Sequence, residues 1–336
     1  MGSKLDCTTG LTISRRQFLR VTAASAATLT AAERVAHAEA DKPKGPEKVL
    51  IFGHVPQEYL KRWQITSDLA VAARKLGVQV EVVDKEKLRA RHAGLSDAER
   101  AKAAELSRQL IAGAQQGKRS RPDDAEVEEA ARFYLAMRAM VAEHKAAAVT
   151  IACGDFRTKT LRVPCASLTL LADDGIPAGC QVDIDAVLTM VLYKRAGACV
   201  GFMAGARVAD DRLMVTHCVL SRKMSGPSSR QPYYLAAYHR DTSGVTIHTD
   251  LPAGKPVTVA RLTRNLERLL VAEGEILTSL DEPRACRNML IIKMPGARRL
   301  MTQVPGGQYH LVVACGHHLA KLRELATKAG IDVFTA

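Results

Sequence analysis

Lys48-Val49-Leu50-Ile51-Phe52-Gly53 is a short apolar run closed by a glycine, the pattern of a buried strand. Outward from it, a helical stretch is expected from about Gln57 to Leu76, stopped by Gly77, and Val78-Gln79-Val80-Glu81-Val82-Val83 reads as a second, alternating strand. Ser96-Asp97-Ala98-Glu99 carries the S-x-x-E capping-box pattern and opens a helix toward Ile111. A further helix runs from about Asp124 to His144, and Ala147-Ala148-Val149-Thr150-Ile151-Ala152 is a third strand. This alternation predicts a parallel sheet flanked by helices.

After about residue 199 the pattern changes. Strand-like segments follow one another at Cys199–Met203, Leu213–Leu220, Tyr233–His239, Val245–Thr249, Val257–Leu262, Leu269–Leu280 and Met289–Met294. Short Gly/Pro turns between successive strands indicate an antiparallel sheet or barrel. Alternation returns only at the end, with Tyr309–Ala314, a helix over about His317–Lys328 and the strand Ile331–Phe334. The expected fold class is α+β, with a parallel α/β sandwich domain over residues 48–198 followed by an antiparallel β domain over 199–336.

Composition sets the outer limits. The 336 residues are 47% hydrophobic and 25% charged, which is globular and enough for about two domains with their own cores. There is no 18-residue apolar run of the kind that spans a membrane. The net charge is +13, yet aromatics make up only 4% with a single tryptophan, which argues against a base-stacking nucleic-acid platform. The basic run Lys118-Arg119-Ser120-Arg121 is followed at once by Asp123 and Asp124 and reads as a solvated loop. No Walker loop, G-x-G-x-x-G or G-x-S-x-G is present, so nucleotide-dependent and serine-hydrolase chemistry have no support.

The N-terminus accounts for part of the positive charge. Ser14-Arg15-Arg16-Gln17-Phe18-Leu19-Arg20 precedes an alanine-rich apolar stretch from Val21 to Ala32, and Ala36-His37-Ala38 has the small-x-small pattern of a leader-peptidase site. Residues 1–38 are therefore expected to be a twin-arginine signal peptide and 39–47 a linker. The mature chain would then be carried by the twin-arginine translocase to the periplasm or another extracytoplasmic space. Cys7 leaves with that leader. Cys153, Cys165, Cys180, Cys199, Cys218, Cys286 and Cys315 remain, an odd number spread thinly, which is not a disulfide framework. They also lack the paired spacing of a zinc site.

The most informative block is Gly175-Ile176-Pro177-Ala178-Gly179-Cys180-Gln181-Val182-Asp183-Ile184-Asp185-Ala186, followed by Leu188-Thr189-Met190 and then Thr216-His217-Cys218. Beyond it lie Tyr233-Tyr234-Leu235 with His239, and Gly254-Lys255-Pro256-Val257-Thr258-Val259-Ala260-Arg261. In order and spacing these resemble the C-terminal region of the L-fucose and L-arabinose isomerases, from about Leu76 onward. The resemblance implies an α/β domain packed on an antiparallel β domain, with a divalent metal, usually manganese, at their junction. Its members interconvert aldose and ketose, which requires a hard cation to polarise the sugar oxygens and carboxylates to move a proton between C1 and C2. The family ligands are a glutamate in a C-E-x-D motif, a second carboxylate after the following strand, and C-terminal histidines.

The chain departs from that set. Gln181 stands where the resemblance implies glutamate, and Ala204 stands at about the second carboxylate position. His217 matches the His-Cys pair and His310 the C-terminal ligand histidine, so these two are the metal candidates. Asp210 or Asp211 would have to swing in as a substitute carboxylate. The competing reading makes His217 and His310 hydrogen-bonded core histidines. Asp183 and Asp185 are placed to cap the helix that follows. Asp155, in the turn after the third strand, lies at the carboxyl edge of the presumed parallel sheet, where ligands tend to bind. It is a candidate for contacting a polyol, against a role in stabilising the turn. Gln181 is the other substrate-binding candidate. The resulting expectation is an exported isomerase-like protein with a degenerate metal site, binding a carbohydrate or a partner rather than isomerising. The alternative is an active metal-dependent aldose-ketose isomerase or related sugar enzyme. A homo-oligomer and a co-exported catalytic partner both remain open. The resemblance also implies that a further N-terminal α/β domain is missing here.

Overall fold

The computed structural model describes residues 46–54, 68–116, 121–156, 164–238, 244–281, 288–304 and 310–336. The expected export signal, residues 57–67 of the first expected helix, Lys118–Ser120 of the basic run, His239 and Cys286 lie outside them. No helix among the described residues is long and apolar enough to cross a membrane.

Pro46–Ala336 forms one compact unit. It opens with a three-stranded parallel sheet of order β2-β1-β3, made of β1 (Glu47–Phe52), β2 (Val78–Val83) and β3 (Ala146–Ile151). The central strand β1 carries four successive fully buried apolar residues, Val49 to Phe52, because neighbours cover both its faces. Among the described residues four helices connect these strands: α1 (Leu69–Leu76), α2 (Lys85–Ala93), α3 (Asp97–Ala112) and α4 (Asp124–Glu143). Ser96 accepts the Glu99 N–H while the Glu99 carboxylate accepts the Ser96 N–H, so the capping box at the start of α3 is complete in both directions. The expected first helix begins, within the described residues, at Leu69, and Gly77 ends it in the left-handed conformation.

Beyond β3 the chain forms α5 (Cys165–Asp173) and then a segment that adds to the sheet. Val149 donates to the Pro177 carbonyl and Gly179 donates to the Val149 carbonyl, a parallel bridge between Val149 and Ala178. The G-I-P-A-G turn is thus a fourth, abbreviated strand beside β3. It leads into α6 (Ile184–Arg195), of which the first ten residues, Ile184 to Tyr193, are buried.

The remaining strands are β4 (Phe202–Ala209), β5 (Arg212–His217), β6 (Tyr233–Ala237), β7 (Val245–Thr249), β8 (Pro256–Leu262), β9 (Arg268–Asp281), β10 (Asn288–Lys293), β11 (His310–Cys315) and β12 (Asp332–Thr335), with helices α7 (Ala297–Thr302) before β11 and α8 (Leu319–Lys328) before β12. Six of them pair in the order β10-β5-β4-β11-β8-β9, and β9 pairs back onto β10, so the antiparallel sheet closes into a barrel. β12 is added to β9 in parallel, and β6 and β7 form a separate hairpin. The 14-residue β9 closes the ring by pairing β8 along its first half and β10 along its second, with a register shift opposite Ile291/Ile292.

Strand alternation sorts the side chains between two cores. Phe202, Ala204, Leu213, Val215, Val257, Val259, Leu270, Ala272, Leu290, Ile292, Leu311 and Val313 fill the barrel. Their neighbours Met203, Ala260, Leu262, Leu269, Val271, Val312 and Ala314 join the core that includes the parallel sheet and its helices. Helix α6 is the seam. Thr189 accepts the Leu262 N–H, and the Tyr193 hydroxyl donates to the Thr258 and Val312 carbonyls, so α6 is bonded to the outer face of β8 and β11 while packing on β3.

Candidate functional site where the sheet edge meets the barrel

The start of α6 lies at the end of the barrel where β5 stops, β8 stops and β11 begins. Asp183 caps the helix, its Oδ1 accepting the Ala186 N–H at 3.0 Å. Its carboxylate does more than cap. Asp183 Oδ2 lies 2.8 Å from His310 Nδ1 and accepts from Arg261 Nη1 at 3.0 Å, while Arg261 Nη2 donates to Oδ1 at 3.2 Å. Arg261 also donates to the His310 carbonyl and stands 3.9 Å from Asp185 Oδ2. All four side chains are buried. Burial pushes the Asp183 carboxyl up, but the Arg261 charge and the His310 contact outweigh it and hold it down at about 2.

His217, at the end of β5, faces His310 with ring centroids 5.0 Å apart in an edge-on arrangement. Its Nε2 is 3.8 Å from Cys180 Sγ. Cys153, nearby at the end of β3, donates its thiol to the Ile151 carbonyl at 3.6 Å. A chain of contacts therefore runs from Cys180 through His217, His310 and Asp183 to Arg261.

Gln181 and Val182 are both left-handed, at φ 59° and 56°, a conformation that costs non-glycine residues about 1 kcal/mol or more. The turn drops Asp183 onto Arg261 and leaves Gln181 half-buried, with its Oε1 buried and unpartnered among the described residues. Ala204 is in a different environment. It pairs with Leu311 and packs in the barrel interior, whereas the adjoining Met203 belongs to the core shared with α6. Asp210 and Asp211 form the exposed β4–β5 turn, at the opposite end of β5 from His217. Asp155 accepts the His54 N–H at 2.6 Å, and Arg89 donates to its carbonyl, so it ties the ends of β1 and β3 together. A Cβ on Gly53 would come within 2.9 Å of that carboxylate, which is why glycine closes β1.

The structure thus brings together His217, His310, Asp183 and Cys180, with Gln181 in the adjoining turn, and it places Ala204 and Asp155 in other surroundings. Arg261 stood in the G-x-x-V-T-V-x-R pattern without a role. Its signal was available: an arginine ending an otherwise buried strand requires a carboxylate. The donor set does not suit a hard divalent cation. Asp183, the carboxylate nearest the two histidines, is already shared between Arg261 and His310, and among the described residues no three His, Cys, Asp or Glu side chains are grouped to hold a metal ion.

The fold and site define an α+β protein with a His-Asp-Arg cluster at the mouth of a closed barrel. No family model matches the chain. Over 174 residues it is 31% identical to a sulfoquinovose isomerase of Alkalicoccus urumqiensis, a match covering 48% of this chain and 37% of that protein. The chain is therefore similar to part of an isomerase, and the aligned region spans little more than a third of that relative's length.

Proposed function

We propose that the chain is an exported, isomerase-like protein that binds a carbohydrate or a partner at the barrel mouth without aldose-ketose turnover. The carrying observation is the state of its carboxylate. Asp183 is neutralised by Arg261 and held near a pKa of 2, so it is a poor proton acceptor at neutral pH and a poor metal ligand. Gln181, at the position of a family glutamate, is an amide that cannot exchange a proton at neutral pH. General acid/base catalysis is worth roughly 10²–10⁴-fold per group, and a carboxylate held ionised by Arg261 is poorly suited to supply it.

The test is direct. Purified protein is incubated with manganese and a panel of aldoses that includes sulfoquinovose, the sugar named by the similar isomerase. The expected result is no stoichiometric manganese and no ketose. Robust turnover would sink the reading. The alternative is a metal-dependent sugar isomerase that uses Gln181, His217, His310 and a further carboxylate; the partial match to an isomerase is compatible with either reading, and manganese bound one-to-one with turnover would establish the alternative.

A further inference from the structure

We propose that β12 is a docking edge that captures an extended acidic segment of a partner protein by strand addition. The sheet leaves this strand open on one side. β12 lies last in the order β10-β5-β4-β11-β8-β9-β12, so among the described residues only β9 pairs with it. Asp332 and Ala336 donate to the Glu267 and Val271 carbonyls, which turns the alternate residues Val333 and Thr335 away from β9. The Val333 N–H and C=O and the Thr335 N–H accordingly have no hydrogen-bond partner among the described residues, and both residues are half-buried rather than enclosed. Backbone groups in that state are a template for one more strand.

The side chains around this edge select the charge of the incoming segment. Arg299 of α7 donates to the Thr335 carbonyl at 2.6 Å and lies 5.2 Å over the Phe334 ring, and Arg323 of α8 donates to the Thr335 hydroxyl at 2.8 Å. Arg268, opposite Asp332 on β9, donates to Gln303 Oε1 at 3.1 Å. All three arginines are exposed and each is held by a neutral oxygen, so the guanidiniums are fixed at the edge with their charge unmatched. Asp332 and Glu267 are the acids beside them in the two strands. Unmatched guanidiniums favour carboxylates in the added strand. A short strand with a charged rim also serves to keep an edge from pairing, and Arg299 does cover one outward carbonyl. Capture is the reading that uses the open Val333 and Thr335 groups together with the two arginines that converge on Thr335. A second copy of the chain paired across this edge would set the arginines against their own mates, and a nucleic acid would match the charge but not the row of N–H and C=O groups. None of these residues belongs to the cluster at the barrel mouth.

The experiment titrates the full chain into short fluorescein-labelled peptides of alternating Glu-Val, Lys-Val or Glu-Pro, and into a labelled oligothymidylate, with fluorescence anisotropy as the readout. Glu-Val should bind and Lys-Val should not. Glu-Pro keeps the charge but cannot pair as a strand, and should bind more weakly by about ten-fold or more. Arg299→Glu and Arg323→Glu should each weaken Glu-Val by about ten-fold, whereas Arg230→Glu, the same charge change at an exposed arginine outside the edge, should leave it unchanged. Hydrogen exchange should slow in residues 331–336 when Glu-Val binds. The proposal is overturned if no peptide binds, if Glu-Pro binds as well as Glu-Val, or if Arg230→Glu costs as much as Arg299→Glu. It is overturned equally if oligothymidylate displaces Glu-Val, or if the chain forms a dimer that Arg299→Glu abolishes. The wild-type comparison of peptides decides the outcome whether or not the variants fold.

Discussion

A charged residue inside a protein is stable only with its partner, and Arg261 with Asp183 is the sharpest case here. Asp183→Asn keeps the shape and the helix cap but leaves the guanidinium facing a neutral amide at full burial. The expected loss is about 3 kcal/mol or more, read from the urea midpoint. The pH dependence follows from the same contact. The Asp183 carboxyl is lowered in the folded state to about 2, from an unfolded value near 3.9. Its stabilisation is therefore complete above about pH 4 and is lost as pH falls through 2. Wild-type stability should drop over that window by about 2 kcal/mol more than that of Asp183→Asn, and parallel acid curves would contradict the assignment. At this scale the sequence was partly legible. His217 and His310 were singled out together, and Asp183 was read as a cap. The second duty of Asp183 was not legible, because a cap and an ion-pair partner look identical until the strand bearing Arg261 is folded beside them.

At the scale of elements, the strands were the most readable part, and β2 and β7 match their expected limits residue for residue. Their apolar alternation is a local property that tertiary context only confirms. Three helices escaped notice for physical reasons: α2 is so polar that Leu88 is its one buried residue, α5 is buried all round and so shows no amphipathic period, and α7 has only six residues. The first strand after residue 199 also starts three residues late, at Phe202, because Gly201 sits hard against Val312. The capping box provides an element-level test. Ser96→Ala should lower stability by about 1 kcal/mol in thermal or urea unfolding, and Ser96→Asp should restore most of it. If the alanine variant were as stable as wild type, α3 would be held by its packing on α4 alone.

The whole molecule turns on ring closure, which no local pattern encodes. The sequence left open whether the successive strands make a sheet or a barrel, since closure needs pairings between strands far apart along the chain: β10 with β5, and β11 inserted between β4 and β8. Gly274 stands at the crossing. A Cβ there would lie 2.6 Å from the Lys293 carbonyl oxygen and 2.8 Å from Ile292 Cγ2. Gly274→Ala should therefore cost about 1–3 kcal/mol by overpacking the seam, measured by calorimetry. Because α6 packs on β3 and is bonded to β8 and β11, the sheet and the barrel share one core, and Pro46–Ala336 should melt in a single transition. Two resolved transitions would show that the barrel folds independently.

The paired left-handed residues at Gln181 and Val182 bear on what this chain has been selected for. Glycine would hold position 181 with less strain, and Gln181→Gly is expected to raise the unfolding free energy by about 1 kcal/mol. A gain of that kind would mean that the chain gives up thermostability at the barrel mouth to keep an amide there. Evolutionary drift toward a merely well-folded relic would have erased that sacrifice first.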